Sequence, residues 1–137
     1  MTGEHNTITL RPATAADKTA IRAIIHQAHL NPMSLDWPRF MVVEIAGQVA
    51  GVGQVKPHRD GSRELASIAV QPEFQGRGIA SRIIEALLAQ EKGPVYLFCS
   101  DDLEVFYYHF GFQKIKRNDL PPTLSSMHRL GNFMAKI

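Results

Sequence analysis

The chain has 137 residues, of which 45% are hydrophobic and 20% charged, and its formal net charge is +2. This length suits one globular domain with a single core, and so slight a charge gives no reason to expect a nucleic-acid partner. No apolar run is long enough to span a membrane, the first residues lack the apolar core of a signal peptide, and the lone Cys99 excludes an internal disulfide. We therefore expect a single cytoplasmic domain over residues 1–137, with neither nucleic acid nor membrane as a partner.

The first part of the chain predicts a strand followed by a helix. Alternating polar and apolar residues predict a strand over 7–11, ended by Pro12. Thr14 and Asp17 have the spacing of a capping box, and apolar residues at helical intervals then continue to about Leu30. The segment that follows is less regular and contains Trp37.

A hairpin is predicted next. Residues 40–45 and 49–55 are strand-like and flank a turn at 46–48. Gly51 and Gly53 leave gaps on the second strand, which indicate either a bulge or an element packed close to the backbone. A polar turn over 57–62 then leads into a strand that begins near Glu64 and ends at Val70.

The most informative stretch follows that strand. A turn containing Gly76, Arg77 and Gly78 leads into an amphipathic helix that begins at Ile79. A helix start has amide groups without intrahelical partners and the positive end of the macrodipole, so it can bind an anion, and glycine lets a ligand approach the backbone. The alternative is a strand–turn–helix corner whose glycines only permit tight packing.

Two known phosphate motifs fit this loop poorly. A Walker-type loop requires lysine and then serine or threonine after its last glycine, where this chain has Ile79 and Ala80. A dinucleotide fingerprint belongs in an early βαβ unit, whereas this loop lies in mid-chain after what is predicted to be an antiparallel meander.

The last part of the chain completes the predicted sheet. Residues 95–99 form a continuous apolar run, typical of a strand buried on both faces. Asp101 or Asp102 is expected to cap a short helix that reaches Phe110, and Gly111 to end it in the left-handed conformation. Strands are predicted over 112–116 and 132–137, joined by a loop over 120–131. If the last strand has an exposed edge, two copies of the chain could pair there as a homodimer.

Two motifs in this order resemble the GNAT N-acetyltransferase superfamily. Gln75, Gly78 and Ala80 match its acyl-CoA signature, which is Gln or Arg, two residues, Gly, one residue, then Gly or Ala. Residues 106–112 are similar to the family's later Tyr-x-x-x-Gly-Phe element. The resemblance extends to the order of predicted elements and implies an α/β (α+β) chain of the GNAT fold, a mixed, mostly antiparallel sheet flanked by helices on both faces.

The resemblance implies transfer of an acetyl group from acetyl-CoA to a primary amine of a small molecule or peptide, with no metal. The pyrophosphate would bind the loop and helix start, and the pantetheine arm would pair with the preceding strand. The implied coenzyme-binding residues are Ile68, Ala69, Val70, Gln75, Gly76, Arg77, Gly78, Ile79, Ala80 and Ser81.

For the chemistry, the resemblance implies Tyr107 as the acid that protonates the leaving thiolate and Glu64 as the base. Two alternatives to a catalytic Glu64 stay open. The base could be an ordered water, and Glu64 could be a solvent-facing residue at the strand end beside Arg63. Unless a bulge intervenes, Glu64 shares a strand face with Ile68 and Val70. A non-catalytic acyl-CoA-binding sensor of the same fold is the alternative function.

Smaller features bear on the acceptor. Ser100 stands where many members have asparagine, so contacts with the pantetheine arm are expected to differ. A weaker similarity to the acetyltransferase domain of N-acetylglutamate synthase suggests an amino-acid-like acceptor, whose carboxylates could pair with Arg117 or Arg129. Trp37 is either part of the acceptor pocket or an aromatic that closes the core edge. The histidines show no metal-ligand spacing, and Cys99 is expected to be a core thiol.

Overall fold

The computed structural model describes residues 7–127 and 131–137. The strands it describes are β1 (Ile8–Pro12), β2 (Phe40–Ile45), β3 (Gln48–Pro57), β4 (Arg63–Val70), β5 (Val95–Cys99), β6 (Gln113–Lys114) and β7 (Asn132–Lys136). The α-helices over the same residues are α1 (Lys18–Gln27), α2 (Ile79–Ala89), α3 (Glu104–Tyr108) and α4 (Pro122–Ser125).

The strands form one seven-stranded sheet in the order β1-β2-β3-β4-β5-β7-β6. β4 and β5 are parallel, whereas the pairs β1–β2, β2–β3, β5–β7 and β6–β7 are antiparallel. The predicted fold class, a mixed and mostly antiparallel sheet with helices, is confirmed. In the part of the chain that the structure describes, no helix has the length and apolar character that a membrane crossing requires.

The chain consists of two compact units. Unit 1 comprises the residues up to Val55 together with Ser67–Ala89, and unit 2 comprises Lys56–Ala66 and the residues from Gln90 onward. The boundary crosses β4 between Ala66 and Ser67.

In unit 1, the apolar face of α1 packs into a core with residues of β2 and β3. The predicted helix start is confirmed, since the Thr14 amide donates to Oδ2 of Asp17 at 2.7 Å. A 3-10 turn over Ala15–Asp17 precedes α1, which ends at Gln27 rather than near Leu30.

The hairpin of unit 1 has a two-residue turn, because Ala46 and Gly47 both have positive φ, as a type I′ turn requires. A register shift between Val43 and Glu44 marks a bulge. Close packing is present as well, since a Cβ on Gly51 would lie 2.8 Å from Cγ2 of Ile79.

In unit 2, β5 alternates between buried and half-buried residues. The expectation of burial on both faces is therefore wrong. One face carries the Phe98 ring, which packs edge-on against Phe133 at 5.0 Å and leaves part of both rings at the surface.

Several predicted boundaries in unit 2 also need correction. The residue that caps the helical segment is Ser100, whose backbone is extended, and Asp101 and Asp102 lie inside the first turn, where carboxylates favour the helix dipole. α3 ends at Tyr108, before the expected Phe110, and Gly111 has φ +94° as predicted.

The end of the chain differs most from expectation. β6 has only two residues, and the predicted loop over 120–131 contains the one-turn helix α4. β7 is not an exposed edge, since it pairs with β5 on one side and β6 on the other. This strand therefore gives no support to a homodimer formed through an exposed edge.

Candidate functional site

The loop between β4 and α2 lies in unit 1 and is open to solvent. Gly76 has φ +81° and Gly78 has φ +74°, a region that residues with a Cβ adopt at a cost. Apart from the glycine itself and its two chain neighbours, no described residue has an atom within 4 Å of where a Cβ on either glycine would stand. Packing therefore does not account for these two glycines, whereas their left-handed backbone conformation does, and the space beside them is open.

α2 begins directly after this loop. The amide of Arg82 donates to the carbonyl of Gly78 at 3.2 Å, so the amides of Ile79, Ala80 and Ser81 precede that intrahelical bond. The Arg77 guanidinium lies 5.5 Å from the centre of the Phe74 ring and is exposed. Amide donors, the helix dipole and one cation thus occur together, which is the chemistry of a phosphate site.

The end of β4 joins this loop. Nε2 of Gln75 donates to the carbonyl of Val70 at 3.1 Å, and Ile68 and Val70 are half-buried whereas Ala69 is buried. A cavity of about 130 Å³ adjoins Val70 and Gln75. The predicted coenzyme-binding residues 68–70 and 75–81 are thus grouped in one unit, in a continuous strand, loop and helix start.

A bulge-like residue interrupts β4. Ser67 has φ +60°, and its hydroxyl accepts a hydrogen bond from Nε2 of Gln54 at 2.9 Å. The same nitrogen donates to the carbonyl of Ser34 at 3.1 Å. Glu64 and Leu65 are both buried. Because the left-handed Ser67 lies between Glu64 and Ile68, simple alternation does not place Glu64 on the same face as Ile68 and Val70.

Glu64 lies in unit 2 at the start of β4, with only 2% of its side chain exposed. Oε1 of Glu64 is 2.9 Å from Nε2 of His58, whose side chain is 11% exposed. Arg63 instead pairs with Glu91 at 2.8 Å. The alternative that Glu64 is only a solvent-facing residue at the strand end beside Arg63 is therefore wrong.

His58 lies in the turn predicted over 57–62, and no role beside Glu64 is predicted for it from the sequence. It faces Glu64 across the β3–β4 turn, which the bond from the His58 amide to the Ser62 carbonyl closes at 2.9 Å. Because His58 lies opposite Ser62, its contact with Glu64 is diagonal, and pairing opposite positions across the predicted 57–62 turn would not have found it.

Tyr107 lies on α3, also in unit 2, and is 8% exposed. Its ring contacts Phe106 and Phe112 edge-on at centroid distances of 5.1 and 6.0 Å. Burial raises the pKa of Tyr107 to about 12, from an ordinary value of 10 at which the phenol is already a hydrogen-bond donor at neutral pH. Tyr108 is 44% exposed, as expected of a surface residue.

Other candidates have structural partners. Sγ of Cys99 lies 3.5 Å from Sδ of Met134, and burial raises the pKa of this thiol, which favours the unreactive form. Nη1 of Arg117 donates to the carbonyls of Ser125 and Met127 at 2.6 and 2.9 Å.

His128 and Arg129 lie outside the described residues. Over the described ranges, no group of three or more His, Cys, Asp or Glu residues could hold a metal ion.

Comparison with known proteins identifies the family. The model of the acetyltransferase (GNAT) domain matches residues 36–114, more than half of the chain. The chain belongs to the GNAT acetyltransferase family, which confirms the resemblance of its motifs.

Individual proteins agree with this assignment. The mycothiol acetyltransferase of Rhodococcus jostii (strain RHA1) is 34% identical over 85 residues, which are 62% of this chain and 28% of that protein. N-acetylglutamate synthase from Neisseria gonorrhoeae, complexed with coenzyme A and N-acetyl-glutamate, superposes with a TM-score of 0.82 at 20% identity, covering 95% of this chain and 35% of that chain. The chain thus spans only about a third of these proteins or less.

A solved structure of similar length has the same fold. Rv2747 from Mycobacterium tuberculosis, crystallised with CoA, gives a TM-score of 0.78 at 19% identity, covering 94% of this chain and 98% of that one. At these identities the two structures establish the fold.

Proposed function

We propose that the chain transfers an acetyl group from acetyl-CoA to a primary amine of a small molecule or peptide by direct attack, and that residues 1–137 act as one transferase domain. The observation that carries this proposal is the open glycine loop at the start of α2, where Gly76 and Gly78 are left-handed with free space around them. Family membership supports acyl transfer, and the crystallised N-acetylglutamate synthase and Rv2747 contain CoA.

The pyrophosphate of CoA would bind the loop. The amides of residues 76–81 supply donors, and Arg77 and the helix dipole supply positive charge. The amide groups of the pantetheine arm would pair with the backbone of Ile68 and Val70, in the manner of an added strand. The half-buried side chains at this strand end fit such an arm, which is partly apolar.

Glu64 would accept a proton from the acceptor ammonium, directly or through one water, and the neutral amine then attacks the thioester carbonyl. The C–N bond forms and the C–S bond breaks. Tyr107 would donate its phenolic hydrogen to the departing sulfur, and the phenolate then takes up the second proton that the nitrogen of the new amide must lose, while Glu64 releases the first proton to solvent. His58 would act as a positioning residue, because its ring holds one oxygen of the Glu64 carboxylate.

The experiment uses the full chain with acetyl-CoA and a panel of amino acids, polyamines and peptide N-termini. Release of the CoA thiol is followed with a thiol reagent and the acetylated product by mass spectrometry. We expect both signals to rise together for at least one class of amine. Absence of a thermal shift with CoA or acetyl-CoA would overturn the coenzyme assignment.

A second function is favoured by one observation, the burial of Tyr107 among aromatic rings. A phenol that does not reach the thioester would leave a non-catalytic acyl-CoA sensor. In that case CoA raises the melting temperature, yet no amine in the panel is acetylated.

A further inference from the structure

A cavity of about 390 Å³ lies in unit 1, between the first half of α1 and the 3-10 turn Trp37–Arg39. Its volume falls within the range of small-molecule sites. None of the predicted coenzyme-binding residues lines it. The residues that matter for its chemistry are Lys18, Arg22, Asp36, Trp37 and Arg39.

The wall of this cavity has an excess of positive charge. Nη2 of Arg39 pairs with Oδ2 of Asp36 at 2.9 Å, which uses the one carboxylate in the lining. Lys18 and Arg22 are exposed, and neither forms an ion pair within the described part of the chain. Two cations therefore face the cavity without a counter-ion.

The position of these cations on α1 makes an anion favourable. Lys18 is the first residue of α1 and Arg22 follows four residues later, so the two lie on the same face. Like charges at this spacing repel, and the positive end of the helix dipole adds to the repulsion. Asp17, just before the helix, is bound by Arg11 at 2.8 Å. An anion placed between Lys18 and Arg22 would relieve the repulsion.

Trp37 supplies an apolar surface beside this charge. It is half-buried and packs against the core cluster of unit 1 while it lines the cavity. A ligand with a short carbon skeleton and a terminal oxyanion could lie against the indole and present the anion to Arg22, whose planar guanidinium suits carboxylate and phosphate groups.

We propose that this cavity binds a small organic acid, held through a carboxylate or phosphate group by Lys18 and Arg22 and covered on one side by Trp37. The site does not depend on the proposed acyl transfer. It is a binding site whether the acid is the amine acceptor or a separate effector.

Trp37 is the only tryptophan in the sequence, so intrinsic fluorescence reports directly on the cavity. The full chain in a low-salt cationic buffer is titrated with succinate, with inorganic phosphate and with neutral succinamide, and calorimetry is run in parallel. We expect a saturable signal with succinate or phosphate but not with succinamide, and weaker binding as salt is added. The tighter of the two anions identifies the group that the site prefers.

Matched variants make the test specific. Arg22→Gln and Lys18→Gln should each weaken binding roughly tenfold, as expected from loss of one charge-assisted hydrogen bond, whereas Lys18→Arg retains it. Arg82→Gln, an exposed arginine on α2 outside the cavity, should bind like the wild type. These substitutions are at exposed positions, and circular dichroism confirms that each variant is folded.

Three results would overturn the proposal. One is an absence of both fluorescence change and heat at millimolar anion. Another is equal binding in Arg22→Gln and Arg82→Gln. The third is loss of the succinate signal when CoA is saturating, which would assign the cavity to the coenzyme. A positive result in a chain that transfers no acetyl group leaves this proposal intact and contradicts only the proposed function.

Discussion

Nε2 of His58 lies 2.9 Å from Oε1 of Glu64, across the turn that joins β3 to β4. Both side chains are almost fully withdrawn from solvent. A buried carboxylate is costly unless it is paired or hydrogen-bonded, and the imidazole meets that need while it fixes the orientation of the carboxylate. The contact with His58 therefore favours the interpretation of Glu64 as a candidate base held in one orientation over that of a solvent-facing residue at the strand end.

Glu64→Gln is the sharpest test of that role. Glutamine has the same size and can still hydrogen-bond to His58, but it cannot accept the ammonium proton, so we expect kcat for acetyl transfer to fall by roughly 10²-fold or more with CoA affinity unchanged. Steady-state kinetics and CoA titration measure the two quantities. Glu85→Gln, at an exposed position on α2, is the control. Full activity in Glu64→Gln would point to water as the base.

Substitutions of His58 separate positioning from simple packing. His58→Gln retains a side-chain donor toward Glu64, whereas His58→Ala does not. We expect kcat to fall in His58→Ala and to recover in part in His58→Gln, with the KM for acetyl-CoA similar in both. Equal kcat values in the two variants would show that the hydrogen bond has no role in turnover.

The glycine loop allows a comparison at matched backbone strain. Gly78 and Gly47 have φ of +74° and +77°, and, chain neighbours apart, no described residue has an atom within 4 Å of where a Cβ on either would stand. Alanine at either position should therefore reduce the free energy of unfolding by a similar amount, about 1–2 kcal/mol. Only Gly78→Ala should also weaken CoA binding, because only that methyl group enters the phosphate site. Denaturant unfolding and CoA titration of both variants check this. Equal CoA affinity in the two variants would remove the loop from the coenzyme site.

Tyr107→Phe should slow acetyl transfer and leave acetyl-CoA affinity unchanged, since it removes only the hydroxyl that donates to the departing sulfur. Tyr108→Phe, on the exposed neighbour, is the matched control. A rate for Tyr107→Phe equal to that of Tyr108→Phe would favour the sensor function.

The same pair of variants tests the burial of Tyr107 at alkaline pH. The folded-state pKa of about 12 exceeds the ordinary value of 10, so above pH 10 the phenol ionises in the unfolded chain before it does in the folded one. The stability that Tyr107 contributes is present below pH 10 and is lost as the pH rises to 12, by about 2–3 kcal/mol. Urea unfolding across this range should give a shallower loss for Tyr107→Phe than for Tyr108→Phe. Parallel curves would mean that Tyr107 is exposed in solution.

Local signals in the sequence account for what could be predicted. The Gly76–Gly78 loop, the hairpin turn predicted over 46–48 and the left-handed Gly111 each depend on residues within a few positions of one another, although the turn itself has only two residues, Ala46 and Gly47. Apart from α4, the order of strands and α-helices followed from these signals, and the proposed coenzyme-binding stretch followed from the family signature it resembles.

What could not be predicted depends on contacts between distant residues. His58 could not be assigned to Glu64 without the register of the turn, and β7 could be placed between β5 and β6 only by pairing that sequence order does not reveal. The cavity beside Trp37 depends on the approach of Lys18 and Arg22 to a segment more than ten residues further along the chain. The left-handed Ser67 is another such case, since serine gives no local reason for that conformation.

The Arg11–Asp17 ion pair should make unit 1 sensitive to acid. Asp17 is 5% exposed and accepts hydrogen bonds from Arg11 and from the Thr14 amide. The hydrogen bond from Arg11 is the main cause of a lowered pKa at Asp17. The stability that this carboxylate contributes is therefore present above the unfolded pKa of about 3.9 and is lost as the pH falls through the lower folded value.

Asp17→Asn should consequently reduce the free energy of unfolding by about 1–3 kcal/mol at pH 7, because Arg11 loses a charged partner. The difference from the wild type should shrink as the pH falls below about 4, where the Asp17 carboxylate of the unfolded chain begins to be protonated while that of the folded chain is still ionised. Urea unfolding at pH 7 and pH 3 measures both values. Asp36→Asn, whose side chain is 63% exposed, should differ little from the wild type at either pH, because exposed ion pairs contribute little. A gap between Asp17→Asn and the wild type that stays constant with pH would mean that the amide change acts through packing and not through the charge of Asp17.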